Sequence, residues 1–307
     1  MTAFLAHALH VLAALVLRLP WPWLTAAADA FARRSLRRAA RTACVTRRNL
    51  ELAYPELLPA ERAQMQEAIV RVTARQALET LRFWTRPHAE NLALVQRVHG
   101  TDVLDAAIAR GRGVIIAAPH YGNWELLNQW LAARTPLAVL YAPPESAVGE
   151  AFLNRVRAAQ GDAQRVTQVR AEASAVRELL RRLKAGGVVG ILPDQQPKQG
   201  DGEFAPFFGV PALTMTLLGR LAAKTGASVV IAWCERTDTR GPRFSLHFEP
   251  VAGEVADADP ARAVAALNAA VERVARRDPS QYQWTYKRYS LRPSGDGDEN
   301  PYWPDCY

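Results

Sequence analysis

The stretch of sequence that decides the predicted fold is Val114-Ile115-Ile116-Ala117-Ala118-Pro119-His120-Tyr121-Gly122-Asn123-Trp124-Glu125. Its first five residues are apolar and rich in β-branched side chains. Because the run is too short for a helix, it predicts a buried strand. Leu126 to Ala133, which follow, have the composition of a helix. Open α/β sheets gather their ligands at the carboxyl ends of strands, so His120 at this strand exit is the first candidate site residue.

A carboxylate follows this histidine after five positions. If His120 lies in the turn and the helix begins near Asn123, the side chain of Glu125 can reach back to one imidazole nitrogen. A carboxylate in that place fixes the tautomer and stabilises the imidazolium, and it leaves the other nitrogen free to take a proton. Two alternatives stay open on spacing alone: His120 as a solvated turn residue, and Glu125 as a carboxylate favoured by the positive end of a helix.

The rest of the chain alternates strands with helices. Short apolar runs typical of strands occur at residues 137–141, 166–169, 188–192 and 228–233. This alternation predicts an α/β fold, a mostly parallel central sheet flanked by helices, in a domain of residues 91–290. Arg243 to Phe248 predicts an exposed antiparallel strand. Residues 291–307 begin with Pro, Gly, Ser and acidic residues, and they predict a flexible tail.

A second polar motif also follows a strand-like run. Asp194 and Gln195 are expected at the same edge of the sheet as His120, because both motifs stand at strand exits. Asp194 is either a substrate or structural ligand, or a turn residue or helix cap. Phe207 and Phe208, further along, either belong to the core or wall a groove for an acyl chain. Their expected place in a loop favours the groove.

The amino-terminal end is almost wholly apolar, and a basic segment follows it. Residues 1–24 predict a membrane-anchor helix, with Trp21 and Trp23 at the level of the membrane interface. Residues 25–90 predict a helical segment whose arginines bind anionic head groups and hold that side in the cytoplasm. The alternative is a buried helix followed by a solvated helix face. The sequence leaves open whether the anchor spans the bilayer or only dips into it.

Charge and cysteine content narrow the possible partners. The chain of 307 residues has a formal net charge of +8, which favours membrane lipid, an acidic carrier protein or nucleic acid. The positive charge is concentrated near the predicted anchor and no nucleic-acid-binding motif is present, which argues against nucleic acid. The cysteines Cys44, Cys234 and Cys306 are far apart in sequence and lack metal-type spacing. They indicate a reducing compartment without a disulfide framework.

The motifs taken together resemble a known family. The set consists of His120-x-x-x-x-Glu125, Arg48-Asn49-Leu50 with Pro55, Asp194-Gln195, Phe207-Phe208-Gly209-x-Pro211-Ala212-x-Thr214, and Gln281-Tyr282-Gln283-Trp284 with Lys287-Arg288. The first motif alone resembles that of membrane-linked acyltransferases. The ordered set is similar to the bacterial lipid A biosynthesis late acyltransferases, the lauroyl and myristoyl transferases. The resemblance runs from the predicted anchor to about Pro293.

This resemblance implies a reaction and a set of site residues. A fatty acyl group passes from acyl carrier protein to a hydroxyl of a lipid A precursor at the cytoplasmic face of the bacterial inner membrane. The resemblance implies His120 as the general base and Glu125 as the residue that orients it, and the chemistry needs no metal or cofactor. The implied substrate-binding residues are Asn123, Asp194, Gln195, Phe207, Phe208 and Thr214.

One position departs from the family pattern. The family usually has Tyr-Arg-Pro where this chain has Tyr141-Ala142-Pro143. Since the family's arginine is thought to contact a substrate phosphate or the reacting carbonyl, another arginine is a candidate for that role here. The candidates are Arg155, Arg157 and Arg170.

Two other functions remain open at this stage. The acceptor can be another hydroxylated lipid, such as a lysophospholipid or a glycolipid. From a different class, a catalytically inactive, membrane-bound lipid-binding protein would share the same fold. The intact His120 and Glu125 argue against that second alternative.

Overall fold

The computed structural model describes residues 2–141, 146–158, 166–172, 174–238, 240–295 and 299–307, with the backbone alone for residues 154–158. The helices within these ranges are α1 (Thr2–Val16), α2 (Trp21–Arg37), α3 (Arg41–Ala53), α4 (Pro59–Thr85), α5 (His88–Leu92), α6 (Thr101–Ala109), α7 (Trp124–Arg134), α8 (Ala147–Ala158), α9 (Ala175–Lys184), α10 (Leu217–Thr225) and α11 (Pro260–Ala275). The strands are β1 (Val95–His99), β2 (Val114–Ala117), β3 (Leu137–Tyr141), β4 (Val166–Arg170), β5 (Val188–Ile191), β6 (Gly202–Phe207), β7 (Val210–Met215), β8 (Ser228–Arg236) and β9 (Phe244–Pro250).

The amino-terminal apolar segment forms two helices instead of the single predicted anchor. The axes of α1 and α2 are bent by 114° relative to each other. Pro20 precedes α2 and Pro22 lies in its first turn, where proline begins a helix and cannot continue one. Within the described part of the chain, no single helix is long and apolar enough to cross a membrane, whereas α1 and α2 together reach that length and composition.

The predicted central sheet is confirmed, and it is mostly parallel. Seven strands lie in the order β1-β9-β8-β2-β5-β3-β4. β2 pairs in parallel with β5 and β8, and β3 pairs in parallel with β5 and β4. The strand that precedes His120 therefore lies in the middle of the sheet.

Helices cover both faces of this sheet. Val114 and Ile116 of β2 pack in one apolar cluster with residues of α6 and α7. Ile115 and Ala117 point to the other face and pack with residues of α9 and α10. Because successive strand residues alternate between two buried faces, the strand reads in sequence as a continuous apolar run.

Two elements differ from the sequence prediction. β9 pairs antiparallel with β8 as predicted, but it lies between β8 and β1, and it buries Phe244, Leu246 and Phe248. It is therefore an interior strand and not an exposed one. β6 and β7 form a separate antiparallel hairpin where a loop was expected. The prolines Pro206 and Pro211 hid this hairpin, since proline argues against a strand in sequence.

A third cluster, rich in aromatic rings, lies beside the sheet. It joins α3, the β6–β7 hairpin, α11 and residues 281–291, which we name the closing segment. Tyr302 and Cys306 belong to the same cluster, with exposed fractions of 1% and 2%. The last residues of the predicted flexible tail therefore pack on the protein, while residues 296–298 lie outside the described ranges.

Substitution of Gly122 tests how closely the turn after β2 approaches the backbone of β8. Its φ is +56°, and a Cβ placed there would lie 1.7 Å from the carbonyl oxygen of Cys234. Gly122→Ala is expected to lower the free energy of unfolding by about 2–5 kcal/mol, since backbone strain and overpacking add. Gly111→Ala is the matched control, because its φ is +67° and a Cβ placed there would have no heavy atom within 4 Å other than those of its own residue and its chain neighbours. Chemical denaturation compares the two variants, and equal losses would contradict the close approach.

Candidate active site

Strand register brings His120 and Asp194 together. In the parallel pair of β2 and β5, Ala117 lies opposite Ile191. His120 and Asp194 each follow their member of this pair by three residues, so both lie at the same edge of the sheet. Nδ1 of His120 lies 2.8 Å from Oδ1 of Asp194, and the backbone N–H of His120 donates to Oδ2 at 2.8 Å.

This pair is shielded from solvent and electrostatically matched. The side chain of Asp194 is 3% exposed and that of His120 is 15% exposed. Burial alone would raise the pKa of Asp194, but the charge and hydrogen bonds of His120 outweigh burial and hold that pKa below its ordinary value. Burial raises the pKa of the neighbouring Tyr282 hydroxyl, and the Asp194 charge acts in the same direction. An ionised Asp194 fixes the proton on Nδ1, which leaves Nε2 with the lone pair that a base requires.

The carboxylate at the ring is not the one that the spacing suggested. Glu125 is buried in the first turn of α7, but Nδ1 of His120 is held by Asp194. Nε2 of the ring faces the side-chain nitrogen of Gln195 at 3.3 Å. The ring contact predicted for Glu125 is therefore made by Asp194. Pairing across the sheet brings a residue 74 positions away to the histidine, which no local spacing reveals.

The closing segment holds the loop of His120 from another side. The N–H of Gln283 donates to the carbonyl of His120 at 3.0 Å, and the side-chain amide of Gln195 donates to Oε1 of Gln283 at 3.2 Å. Tyr121 and Tyr282 form an isolated antiparallel bridge. The Gln281–Trp284 motif, identified by resemblance alone, thus fixes the main chain at His120 and in the two residues that follow it.

A cavity of about 170 Å³ opens beside His120. It is lined by Thr73, Gln76, Ala77, Thr80, His120, Gly122, Asn123, Trp124 and Gln283. Gln76 donates its side-chain amide to the carbonyls of Gly122 and Gln281, at 3.1 and 3.2 Å. The sequence analysis missed the four residues of α4. Their signal was their spacing of i, i+3, i+4 and i+7, which places small and polar side chains on one helix face.

A larger cavity, of about 420 Å³, lies elsewhere in the molecule. Its walls come mostly from α9, α10 and α11, and no predicted site residue lines it. The smaller cavity is the candidate site because His120 lines it together with several other polar side chains.

Comparison with known proteins shows the family to which the chain belongs. The profile described as bacterial lipid A biosynthesis acyltransferase matches residues 2–290. The chain belongs to this family. The resemblance carried by the five motifs is thus confirmed from α1 to the closing segment.

Three relatives illustrate the range of the similarity. The chain is 28% identical to the lipid A biosynthesis palmitoleoyltransferase of Escherichia coli K12, over 82% of this chain and 80% of the relative. It is 24% identical to the lipid A biosynthesis lauroyltransferase of the same organism, over 92% and 90%. A phosphatidylinositol mannoside acyltransferase of Mycobacterium tuberculosis is 28% identical, over 58% of this chain and 57% of the relative.

The phenylalanine pair of this acyltransferase lies in the core. Phe207 ends β6, Phe208 lies in the hairpin turn, and their exposed fractions are 1% and 4%. Their rings lie 4.9 Å apart, and that of Phe208 also contacts Tyr54 and Trp284. The predicted acyl groove is therefore not formed by these two rings. The hairpin, which the sequence did not reveal, turns both of them into the aromatic cluster.

Thr214 joins the hairpin to the closing segment. Its hydroxyl donates to Oδ1 of Asn268 at 2.9 Å and accepts a hydrogen bond from Nη2 of Arg288. Arg288 also donates to the carbonyl of Leu213. Thr214 is buried and does not line the cavity beside His120, so the contacts that the structure shows for it are packing contacts within the protein.

The structure describes one of the candidate arginines in full. Ala142 and Pro143 lie outside the described residues, as do the side chains of Arg155 and Arg157. Arg170 ends β4 opposite Tyr141, and it forms ion pairs with Glu150 and Glu172. β4 lies three strands from β2, roughly 14 Å away at the usual strand spacing. Arg170 therefore shares an edge with His120 without touching it.

A buried ion pair lies behind the turn of His120. Nη2 of Arg236, at the end of β8, is 2.8 Å from Oε2 of Glu79 on α4, and the two side chains are 8% and 1% exposed. Burial raises the pKa of Glu79, although Arg236 and Asn123 counteract it. The side chain of Gln281 accepts from the N–H of Arg236 and donates to its carbonyl. The pair thus ties α4, β8 and the closing segment to the turn that carries His120.

Double substitution separates the cost of an unpaired buried charge from the value of the pair. Glu79→Leu is expected to lower the free energy of unfolding by about 3–5 kcal/mol, since it leaves the Arg236 charge buried without its partner. Adding Arg236→Leu is expected to recover most of that loss, because an apolar pair of similar volume removes the desolvation cost. Urea unfolding of both variants measures this. A double variant as unstable as the single one would contradict the assignment.

Proposed function

We propose that this protein transfers a fatty acyl group from acyl carrier protein to a hydroxyl of a lipid A precursor. The observation that carries the proposal is the His120–Asp194 contact beside a polar cavity, in a chain of the lipid A acyltransferase family. The palmitoleoyl and lauroyl transferases among the relatives support lipid A as the acceptor. No covalent enzyme intermediate is needed, since the hydroxyl can attack the thioester directly.

In the proposed reaction, Nε2 of His120 takes the proton of the acceptor hydroxyl as that oxygen bonds to the thioester carbonyl carbon. Asp194 stabilises the imidazolium that forms. The carbon–sulfur bond then breaks, and the carrier thiolate leaves with the proton returned by the ring. Gln195 lies near Nε2 and is proposed to contact substrate at this place. Glu125 and Asn123 are proposed to position the turn, since both are buried where α7 begins.

Both proposed substrates are anionic, and the formal net charge of +8 favours such partners. Phosphates and acidic carrier surfaces are recognised by arginine and lysine through charge-assisted hydrogen bonds. Arg170 lies at the same edge of the sheet as His120. In this proposal a substrate phosphate replaces Glu150 and Glu172 as the partner of the guanidinium group. Arg155 and Arg157 remain proposed alternatives to it.

We place the reaction at the cytoplasmic face of the bacterial inner membrane. The large apolar side chains exposed on and around α1 and α2 are Phe4, Leu5, Leu9, Val11, Leu12, Leu15, Val16, Leu19, Trp23 and Phe31. Arg33, Arg34, Arg37 and Arg38 at the end of α2 are exposed as well. An apolar surface next to a basic one suits the interface of an anionic membrane.

Vesicle binding tests the basic part of this surface. Changing Arg33, Arg34, Arg37 and Arg38 together to Gln is expected to weaken binding to phosphatidylglycerol-containing vesicles by up to about 4 kcal/mol, at roughly 1 kcal/mol for each cation. The matched control removes four cations from α9 by changing Arg177, Arg181, Arg182 and Lys184 to Gln. Co-sedimentation measures both variants. Equal weakening by the two sets would contradict a membrane role for the end of α2.

A different lipid acceptor is the second candidate function. The similarity to a phosphatidylinositol mannoside acyltransferase favours it, because the lipid named for that relative is not lipid A. The departure at Ala142 favours it too, since it removes a cation that the family pattern provides. Both candidates use the same ring and carboxylate, so they differ in acceptor and not in mechanism.

Mass spectrometry of lipids from a deletion strain tests the function. Wild-type protein is expected to restore one secondary acyl chain to lipid A. His120→Ala and Asp194→Asn are expected not to restore this acyl chain. Loss of a general base, or of the carboxylate that holds it in the correct tautomer, lowers turnover by about a hundred- to ten-thousand-fold. His99→Ala is the matched control and is expected to restore the chain, since β1 lies three strands from β2.

The outcomes separate the candidates. An acyl chain lost from another lipid while lipid A is unchanged would favour the second acceptor. Full restoration by His120→Ala would contradict the proposed chemistry and favour a lipid-binding protein. The mass of the missing chain would give the donor length.

A further inference from the structure

Two cysteines from opposite ends of the chain meet in the structure. Cys44 lies on α3, Cys306 is the penultimate residue, and 262 positions separate them. Their Sγ atoms are 2.9 Å apart, and both side chains are buried. All three cysteines are free thiols.

The two thiols have surroundings that the third does not share. Cys44 donates to the carbonyl of Asp305 at 3.3 Å, and Nη2 of Arg47 lies 4.0 Å from its sulfur. The thiolate is the nucleophile in disulfide exchange. Burial raises the pKa of Cys306 to about 12, and the hydrogen bond to Cys44 adds to this effect. Cys234 lies in a different apolar cluster, on β8 under the turn of Gly122.

The pair lies at the end of a chain of contacts that leads to the candidate site. Asn49, five residues after Cys44, donates its side-chain amide to the carbonyls of Trp284 and Tyr286, at 2.7 and 2.8 Å. Its oxygen accepts from the hydroxyl of Tyr302 at 2.6 Å. The C-terminal residues are therefore bonded through Asn49 to the closing segment, which holds the loop of His120.

We propose that Cys44 and Cys306 form a covalent modification site that closes to a disulfide and clasps the C-terminal residues to α3. The oxidant is a small-molecule disulfide such as oxidised glutathione. The thiolate of Cys44 attacks one of its sulfurs, and one glutathione thiolate leaves. The thiolate of Cys306 then attacks the mixed disulfide at Cys44, and the second glutathione thiolate leaves. Two protein thiols are oxidised and one glutathione disulfide is reduced to two thiols, which take up the two protons.

The geometry needs little change for this reaction. The sulfurs would have to approach by about 0.9 Å to reach the ~2.05 Å of a disulfide bond. Trp303 and Tyr307, near Cys306 in sequence, are 69% and 63% exposed. Segments with few buried contacts open locally at low free energy, and such an opening admits the oxidant. A covalent link between positions so distant in sequence constrains the unfolded chain strongly, so closure is expected to raise stability.

The test uses the full-length reduced protein and oxidised glutathione. After treatment, free thiols are blocked with iodoacetamide under denaturing conditions, and the protein is digested and analysed by mass spectrometry. We expect a peptide that links Cys44 to Cys306, with Cys234 alkylated. The thermal unfolding midpoint should rise and return on addition of dithiothreitol. Cys234→Ser is the matched control and should form the same link.

Three results would overturn the proposal. The first is a stable glutathione adduct at Cys44 or Cys306 that does not resolve into the link. The second is full alkylation of both thiols after prolonged oxidation. The third is an unfolding midpoint that rises after treatment with oxidised glutathione in Cys44→Ser or Cys306→Ser, since neither variant can form the Cys44–Cys306 disulfide. None of these readouts depends on acyl transfer, so the outcome for the Cys44–Cys306 disulfide is independent of the outcome for the proposed function.

Discussion

The hydrogen bond between Nδ1 of His120 and Oδ1 of Asp194 is the contact on which the rest of the site depends. It exists because β2 and β5 are parallel neighbours in a fixed register, with Ala117 opposite Ile191. A shift of β2 by one residue relative to β5 would move the side chains of β2 to the opposite face and separate His120 from Asp194. The apolar residues on both faces of β2 therefore fix the chemistry as well as the core, since they hold the strand in this register.

Around this contact, most family motifs act as supports for the loop of His120. Asn49 bonds to two carbonyls of the closing segment, and Arg288 ties that segment to the hairpin through Thr214. Gln283 and Gln195 then bond to each other beside the ring. A base must be held in place for proton transfer to be efficient, and rigid supports from several elements provide this. The motifs that identify the family are largely the means by which the loop is fixed.

The polar groups near the site are carried by elements that are distant in sequence. Gln76 and Thr80 come from α4, Gln281 from the closing segment, and Arg236 from the end of β8. Their partly buried hydrogen bonds and the buried Glu79–Arg236 pair are costly unless every partner is present. Such a network favours one arrangement of the elements over others, which suits a site that must hold a base beside a small cavity.

The sequence by itself determined the mostly parallel sheet, the buried strand before His120, the edge at which His120 and Asp194 lie, and the resemblance to the family. These follow from local patterns: apolar runs of strand length, strand exits with polar residues, and motifs in a fixed order. The tertiary structure alone decided that Asp194 and not Glu125 holds the ring, that Phe207 and Phe208 pack in the core, and that α4 walls the cavity. Each of these depends on pairing between residues tens to hundreds of positions apart, and one chain's spacing carries no record of such pairing.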